Sequence, residues 1–400
     1  MAKPVPSVWG PGGFPDENLD LAGLYIHVPF CTRVCPYCDF AVTTGGREKQ
    51  RRYVDCLFHE MALYREDSWC FDTVYLGGGT PSRLLPEEIV EICEGARSQL
   101  SLAGNVGMSL EVNPEDVDVG KLSTWRSLGF DFISLGVQSF RAESLAFLGR
   151  QHSPSEAESA VQLSREAGFG TVSLDLIYGL PGHSLDEWRA DLERALALGP
   201  QHMSCYQLTV HEATVFGRRK ARGQLVEVDE EQRAELFEFT HHFLNDRGFE
   251  GYEVSNFAAT PRHRSRHNLK YWNHTPYLGL GPAAHSFDGS SRWWNARRVG
   301  AWERALETNG RPVEESEQLT SEALVLEAVM LGLRTRDGLD LHRIRGRFGI
   351  DLMELNEGLI QLWVEEGLVE EYEHRLRPTI RGLAVAEGLA ASLRIADESL

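Results

Sequence analysis

Short apolar runs alternate with amphipathic stretches from about residue 24 to residue 210. The runs at 24–30, 73–77, 107–112, 132–137, 172–178 and 203–210 are rich in β-branched and aromatic residues and predict strands. Between them, apolar positions recur at helical spacing over 48–66, 86–100, 118–128, 155–168 and 185–198. The alternation amounts to six β-α units, which implies a parallel sheet covered by helices. A curved, open (β/α)6 barrel and a doubly wound sheet share this pattern, and periodicity does not separate them. In both, ligands gather at the C-terminal ends of the strands.

The pattern changes after residue 210. Residues 211–315 predict a long helix near 229–247, a short strand near 252–257 and an irregular stretch rich in aromatics, Gly and His. Residues 316–400 read as a separate, mainly helical unit, with helices at 321–333, 339–347 and 353–366. A hairpin follows, turning at Glu373-His374, and then a helix at 380–393. Helices followed by a hairpin suggest a winged-helix-like module. The domain expectation is therefore a flexible, Pro/Gly-rich segment over 1–23, a core over 24–210, an extension over 211–315 and a C-terminal domain over 316–400.

Charge narrows the function. A net charge of −19 over 400 residues argues against nonspecific binding to nucleic acid or an anionic membrane. Arg218-Arg219-Lys220 and Arg262-His263-Arg264 read as solvated loop charge. No apolar run is long enough to span a membrane, and the first 23 residues lack the apolar core of a signal peptide. A reducing, cytoplasmic setting fits the seven cysteines, an odd number.

Cys31, Cys35 and Cys38 carry the clearest chemistry, in a C-x3-C-x2-C spacing just after the first predicted strand. Three thiolates this close can hold three corners of a [4Fe–4S] cube, which ordinarily takes four. With no fourth cysteine nearby, one iron keeps an open position, which a cluster needs to chelate a small ligand and pass it an electron. A structural zinc site of these three cysteines with His27 is the alternative. Cys56, Cys70 and Cys93 read as small buried apolar groups.

Other candidates fall at strand ends. The run Leu76-Gly-Gly-Gly-Thr-Pro81 lets the backbone approach a ligand closely. Glu111 and Asn113, Gln138 and Ser139, and Asp175 place polar groups within or just after apolar strands, and Arg150 falls between the fourth strand and the fifth. Such groups are costly unless paired. Singly, each could belong to a buried structural network. Together, on one rim, they make a polar ligand pocket the better reading.

The cysteine spacing resembles the signature of the radical S-adenosylmethionine (SAM) superfamily. Tyr25-Ile-His-Val-Pro-Phe-Cys31, Gly77-Gly-Gly-Thr-Pro81, Glu111-Val-Asn-Pro114, Gly136-Val-Gln-Ser-Phe140 and Asp175-Leu-Ile-Tyr-Gly-Leu-Pro181 follow in order. They look like the coproporphyrinogen-dehydrogenase-like branch of that superfamily, from about residue 24 to the C-terminus. The resemblance implies an open (β/α)6 radical-SAM barrel. It implies a [4Fe–4S] cluster on Cys31, Cys35 and Cys38, and a SAM pocket lined by Tyr25, Gly78, Gly79, Thr80, Glu111, Gln138, Arg150 and Asp175.

That branch holds an oxygen-independent coproporphyrinogen III dehydrogenase and the HemW-type haem chaperones. The dehydrogenase extends its motif to C-x3-C-x2-C-x-C, whereas this chain has Phe40 there, and the dehydrogenase carries a longer segment before the motif. His267-Asn-Leu-Lys-Tyr271-Trp272 and Tyr277-Leu-Gly-Leu-Gly-Pro-Ala-Ala-His285 resemble the chaperone group. The resemblance therefore implies binding of haem and its transfer to an acceptor haemoprotein, with His267 as the candidate haem ligand. His211, His263, His274, His285 and Cys205 compete for that role. A dehydrogenase or another radical-SAM enzyme is the alternative, and a homodimer is allowed but not demanded.

Overall fold

The computed structural model describes residues 21–395. The segment expected to be flexible over 1–23 falls outside the described residues up to residue 20, and the first strand already begins at Ala22. Strands β1 (Ala22–Val28), β2 (Phe71–Gly78), β3 (Leu102–Val112), β4 (Phe130–Gln138), β5 (Thr171–Tyr178) and β6 (His202–Gln207) lie side by side in chain order, all parallel. Helices α1 (Arg47–Leu63), α2 (Pro86–Gln99), α3 (Val119–Ser127), α4 (Ala142–Leu148), α5 (Pro154–Glu166) and α6 (Leu185–Ala197) connect them. Side chains alternate across each strand. One set (Leu24, Ile26, Val74, Leu76, Leu110, Ile133, Leu135, Val172, Leu174, Met203) joins the main apolar core. The other set includes Tyr25, Tyr75, Glu111, Ser134, Asp175 and Tyr206, a polar inner face. Sequence periodicity missed only α4 in this region, a two-turn helix between β4 and α5.

The extension does not form a separate body, because it lengthens the same sheet at both edges. After α7 (Val215–Ala221) and α8 (Glu230–Asn245) come β7 (Glu250–Gly251) and β8 (Asn256–Ala258); β8 pairs antiparallel with β6, and β7 pairs antiparallel with β8 at the edge. The short strand expected near 252–257 is thus two strands. Beyond α9 (Arg266–Trp272), β9 (Tyr277–Leu280) pairs parallel with β1. Strands β10 (His285–Phe287) and β11 (Ser291–Asn295) continue outward; α10 (Val299–Glu307) follows, and β12 (Val313–Gln318) forms the edge. Among the described residues the sheet has 12 strands and two free ends, so the barrel is open.

Residues from 321 onward pack around their own apolar cluster, centred on Val325, Val329, Ile360, Trp363 and Leu376. The elements are α11 (Ser321–Gly332), β13 (Leu339–Asp340), α12 (Leu341–Phe348), α13 (Leu352–Glu365), β14 (Val369–Tyr372), β15 (Arg375–Pro378), α14 (Ile380–Ala384) and α15 (Ala386–Ser392). The expected hairpin is β14–β15, and β13 pairs with β15 as a third strand. The last helix is interrupted at Val385, whose φ of −120° is not helical.

One buried carboxylate ties the extension to the core. Glu60 on α1 is 0% exposed and accepts from Gly281 N at 2.7 Å, Asn295 Nδ2 at 2.6 Å and Trp302 Nε1 at 3.0 Å. Burial pushes its carboxyl up to about 7, against the pull of those three donors. Glu60→Ala strands all three donors in the interior, at a cost of about 3 kcal/mol or more. Urea unfolding of the variant is expected to show that loss; a loss below about 1 kcal/mol would mean that other contacts hold the extension in place.

Candidate functional site

The three motif cysteines lie in the loop between β1 and α1, over the C-terminal end of the sheet. This loop makes a tight internal turn, with Cys38 N donating to Cys35 O at 3.1 Å. Its base is fixed by Cys31 N to Thr43 O at 3.0 Å and Thr43 N to Pro29 O at 2.7 Å. Beneath it is a cavity of about 400 Å³, lined by Cys31, Cys35 and Cys38 together with Gly78, Gly79, Thr80, Glu111, Gln138, Arg150 and Asp175. Of the eight residues expected at a SAM pocket, Tyr25 alone is not in this lining. It sits deeper on the inner face, its hydroxyl 3.1 Å from His27 Nδ1 and its ring stacked 6.2 Å from Tyr75.

The glycine run is a packing requirement. A Cβ on Gly78 (φ +110°) would stand 2.5 Å from the His27 ring, and one on Gly79 would stand 2.9 Å from the backbone of Val28 and Pro29. Only a chain without side chains passes here. It brings Gly78 N to 3.0 Å from Glu111 Oε2, while Tyr75 donates to Oε1 at 2.8 Å. Thr80 places its hydroxyl 3.5 Å from Cys31 Sγ.

Arg150 arrives by a helix cap. Gly149 ends α4 in the left-handed region (φ +71°), and a Cβ there would meet Pro36 at 2.8 Å. The next residue, Arg150, then reaches under the cysteine loop. It donates to Asn113 Oδ1 at 2.7 Å and Gly136 O at 2.9 Å, and its Nη1 stands 3.9 Å from Cys35 Sγ. Its Nε is buried with no hydrogen-bond partner among the described residues. A guanidinium with a spare donor among three thiols suits an anionic group held there. Asn113 also donates to Glu115 at 3.1 Å, and His152 lies 3.3 Å from Glu115.

Opposite the cysteines, the floor is acidic. Burial pushes Glu111 up to about 7, reinforced by Asp175, and burial pushes Asp175 itself up to about 6. Ser134 donates to Asp175 at 2.9 Å. Burial also raises Cys31, and raises Cys38 to about 11, so without a metal these thiols carry protons at neutral pH.

The zinc alternative fares poorly on geometry. Both nitrogens of His27 are engaged, Nδ1 with Tyr25 and Nε2 with Ala41 O at 2.8 Å. Among the described residues no three His, Cys, Asp or Glu side chains converge on a single ion.

Several expectations need correction. His267 is not near the cavity. It is 1% exposed at the opposite end of the barrel, with Nδ1 2.9 Å from Thr73 Oγ1 and Nε2 2.9 Å from the Tyr271 hydroxyl. A histidine with both nitrogens engaged and a ring sealed against Tyr75 has none to offer iron. Ser139 is 0% exposed and bonds to Asp191 on α6, away from the cavity. Arg262-His263-Arg264 is solvated only at Arg262: His263 is 6% exposed against Thr171, and Arg264 pairs with Glu250 and Asp337. Cys70 is only partly buried. Sequence reasoning overlooked Tyr37 and Tyr206. Both line the cavity, and their signals were a phenol within the cysteine motif and a tyrosine two residues beyond Ser204, the register partner of Asp175 on the neighbouring strand.

The Radical SAM superfamily profile matches residues 25–195, and the HemN C-terminal domain profile matches residues 319–385. A heme chaperone HemW of Mycobacterium tuberculosis is 37% identical over 376 residues, spanning 93% of this chain and 94% of that protein. The chain belongs to the HemW family. The HemW of Bacillus subtilis is 31% identical and spans 90% of this chain and 95% of its own. Coproporphyrinogen III oxidase (HemN) of Escherichia coli superposes with a TM-score of 0.80 at 22% identity, over 93% of this chain and 89% of that one; at this identity it speaks for the fold. Membership of the radical SAM superfamily implies a [4Fe–4S] cluster and SAM, and the cavity's donor set fits both. Phe40 stands where the dehydrogenase motif would carry its fourth cysteine and leaves a phenyl ring 61% exposed on the cavity rim.

Gln138 carries a testable strain. It lines the cavity at a bulge in β4 with φ +66°, a conformation that costs a residue with a Cβ about 1–2 kcal/mol. Gln138→Gly is expected to raise the melting temperature while weakening SAM binding severalfold. Calorimetry and equilibrium dialysis measure the two, and a variant that binds SAM as the parent does would remove Gln138 from the site.

Proposed function

We propose that this chain is a haem chaperone built on a radical-SAM scaffold, which binds haem and passes it to an acceptor haemoprotein. The observation that carries the reading is the match to proteins named heme chaperone across 93% of the chain. Phe40, in place of a further cysteine, supports it. In this reading residues 24–210 hold the cofactors, 211–315 extend the rim and close the floor, and 316–400 brace that floor. A cytoplasmic location belongs to the same reading; among the described residues no helix is long and apolar enough to cross a membrane.

Cys31, Cys35 and Cys38 would hold a [4Fe–4S] cluster. When bound, the cluster supplies one open iron position to SAM and a route for single electrons. The chain's own residues do the rest. Glu111 and Asp175 offer a carboxylate floor to the ammonium, ribose hydroxyls and sulfonium charge of SAM. Gly78 and Gly79 bring the backbone close without a side chain. Arg150 sets positive charge against the thiolates and draws Asn113 into line. Thr80 donates toward Cys31 Sγ and steadies that ligand.

Two expectations follow. A cationic ligand favours ionised carboxylates, and Glu111 and Asp175 ionise near 7 and 6. SAM affinity therefore rises with pH through that window and levels off above it, by about tenfold between pH ~5.5 and ~8. S-adenosylhomocysteine, which lacks the sulfonium charge, is expected to show a shallower rise in calorimetric titrations; a flat profile for SAM would remove the carboxylates from the site.

The function itself is tested by loading the reconstituted protein with haem and mixing it with an apo-haemoprotein. Transfer seen as the acceptor's Soret band is the expected result. Multiple-turnover conversion of coproporphyrinogen III, with SAM and a reductant, would overturn the reading in favour of the dehydrogenase.

A further inference from the structure

We propose that His285 is the axial haem ligand of this chain, in a rim site where Arg297 and Arg298 face the haem propionates. The inference rests on the haem-carrying function proposed above and assigns a place to it.

Size comes first. The cavity of about 400 Å³ lies toward the low end of small-molecule sites, about 300–1,000 Å³. Its floor and cysteine roof are matched to one ligand the size of SAM. A porphyrin therefore belongs on the rim, where an imidazole must be exposed and free.

Few of the fourteen histidines meet that condition. His27, His152, His202, His263 and His267 have both ring nitrogens engaged. His274 is 5% exposed and held by Glu327 at 3.1 Å. His183 has no hydrogen-bond partner among the described residues but is 4% exposed, enclosed beyond the reach of a macrocycle. His342 and His374 stack on each other at 4.7 Å, far along the chain in the C-terminal unit. His211 lines the cavity, but its Nε2 is already turned to the Asp39 carboxylate, 3.6 Å away.

His59 and His242 are exposed but sit on α1 and α8, helices that pack on the outer face of the sheet, and His241 is buried. His285 is different. It opens β10, beside the C-terminal end of β9, and is exposed. No hydrogen bond holds its ring among the described residues. Instead it stacks on Trp294, its register partner on β11, at 5.4 Å and 26°. The stack fixes the ring's orientation and leaves both nitrogens free. Its footing is rigid: Ser286 is 0% exposed and bonds to Gly279, and Asn295 is bound to Glu60. A ligand on strands is held more closely than one on a loop.

The charge around it is equally specific. Burial, then Arg292 and Arg297, lower the His285 pKa, which keeps the imidazole in its neutral, iron-binding form. Arg292 is occupied by a two-pronged contact with Glu327. Arg297 and Arg298 are exposed, and neither pairs with a carboxylate side chain among the described residues. Arg297 also donates to the Asp39 carbonyl, which places this cationic edge against the cysteine loop beside exposed Phe40. An imidazole, two guanidiniums and an exposed phenyl ring are what iron, two propionates and a porphyrin face require.

The test titrates ferric haem into the full chain and its His285→Ala, His211→Ala and Arg297→Ala/Arg298→Ala variants, followed by absorption and electron paramagnetic resonance. His285→Ala is expected to lose the imidazole-ligated signature and about tenfold or more in affinity, with added imidazole restoring the signature. The arginine pair is expected to weaken binding severalfold with the coordination signature unchanged. Because His285 is exposed, its variant should melt with the parent. A His285→Ala chain that binds haem with the parent spectrum and affinity overturns the assignment, as does loss of the signature in His211→Ala alone. A parent chain that takes up no haem defeats the haem-carrying function itself, and that result is distinct from either of the others.

Discussion

A parallel sheet that curves on itself has an inner face with no helix to cover it, and whatever points inward must be satisfied there. In this chain the inward set is polar: hydroxyls, carboxylates, tyrosines and histidines rather than the apolar layers of a filled barrel. Each group is costly alone. They are tolerable because they answer one another, as Tyr75 and Gly78 answer Glu111, and Ser134 answers Asp175. The chamber is the product of that mutual satisfaction, and the depth of burial that raises both carboxylates is its direct consequence. Tyr206 illustrates the geometry. It is 42% exposed although set deep in the sheet, because its free surface faces the chamber.

The cysteine loop depends on this frame from three directions. The glycine run of β2 lets the loop's base lie against His27 and Val28. The left-handed cap at Gly149 clears Pro36 and delivers Arg150. Arg297, from the far edge of the sheet, holds the Asp39 carbonyl. The loop has little regular structure of its own, so its shape is set by elements distant in sequence. A cluster ligand set spaced within eight residues is thus positioned by strands and helices spread over 270 residues, from Val28 to Arg297.

This explains which features were legible beforehand. Cys31, Cys35 and Cys38 announce themselves because their spacing is local. Glu111, Gln138 and Asp175 could be found because a polar residue in an apolar run needs a reason, and strand ends share a rim. His267 was misplaced because its chemistry is also local and ambiguous: a histidine beside tyrosine and tryptophan serves equally as ligand or plug. Only the packing of α9 across the starts of β1 and β2 decides. Gly23 leaves just enough room there, since a Cβ would meet the His267 ring at 3.0 Å. The two-sided growth of the sheet was hidden for the same reason, because β9 pairs with β1 across some 250 residues and no periodicity reports such a partner.

The sealed floor gives the C-terminal unit a role that does not require DNA or a partner. Lys270 on α9 pairs with buried Asp72 at 2.6 Å and donates to Leu21 O at 2.6 Å, locking the plug to the sheet. The C-terminal unit then grips the chain just beyond α9. Arg343 donates to Asn273 O at 2.7 Å, and Glu327 joins His274 and Arg292 across the junction. With its lower end closed in this way, the chamber communicates with solvent at the cysteine end. Any ligand, and any protein that receives one, must therefore approach over the rim that carries Phe40, Arg297 and His285. Cofactor entry and cargo handover are confined to one face by how the other end is packed.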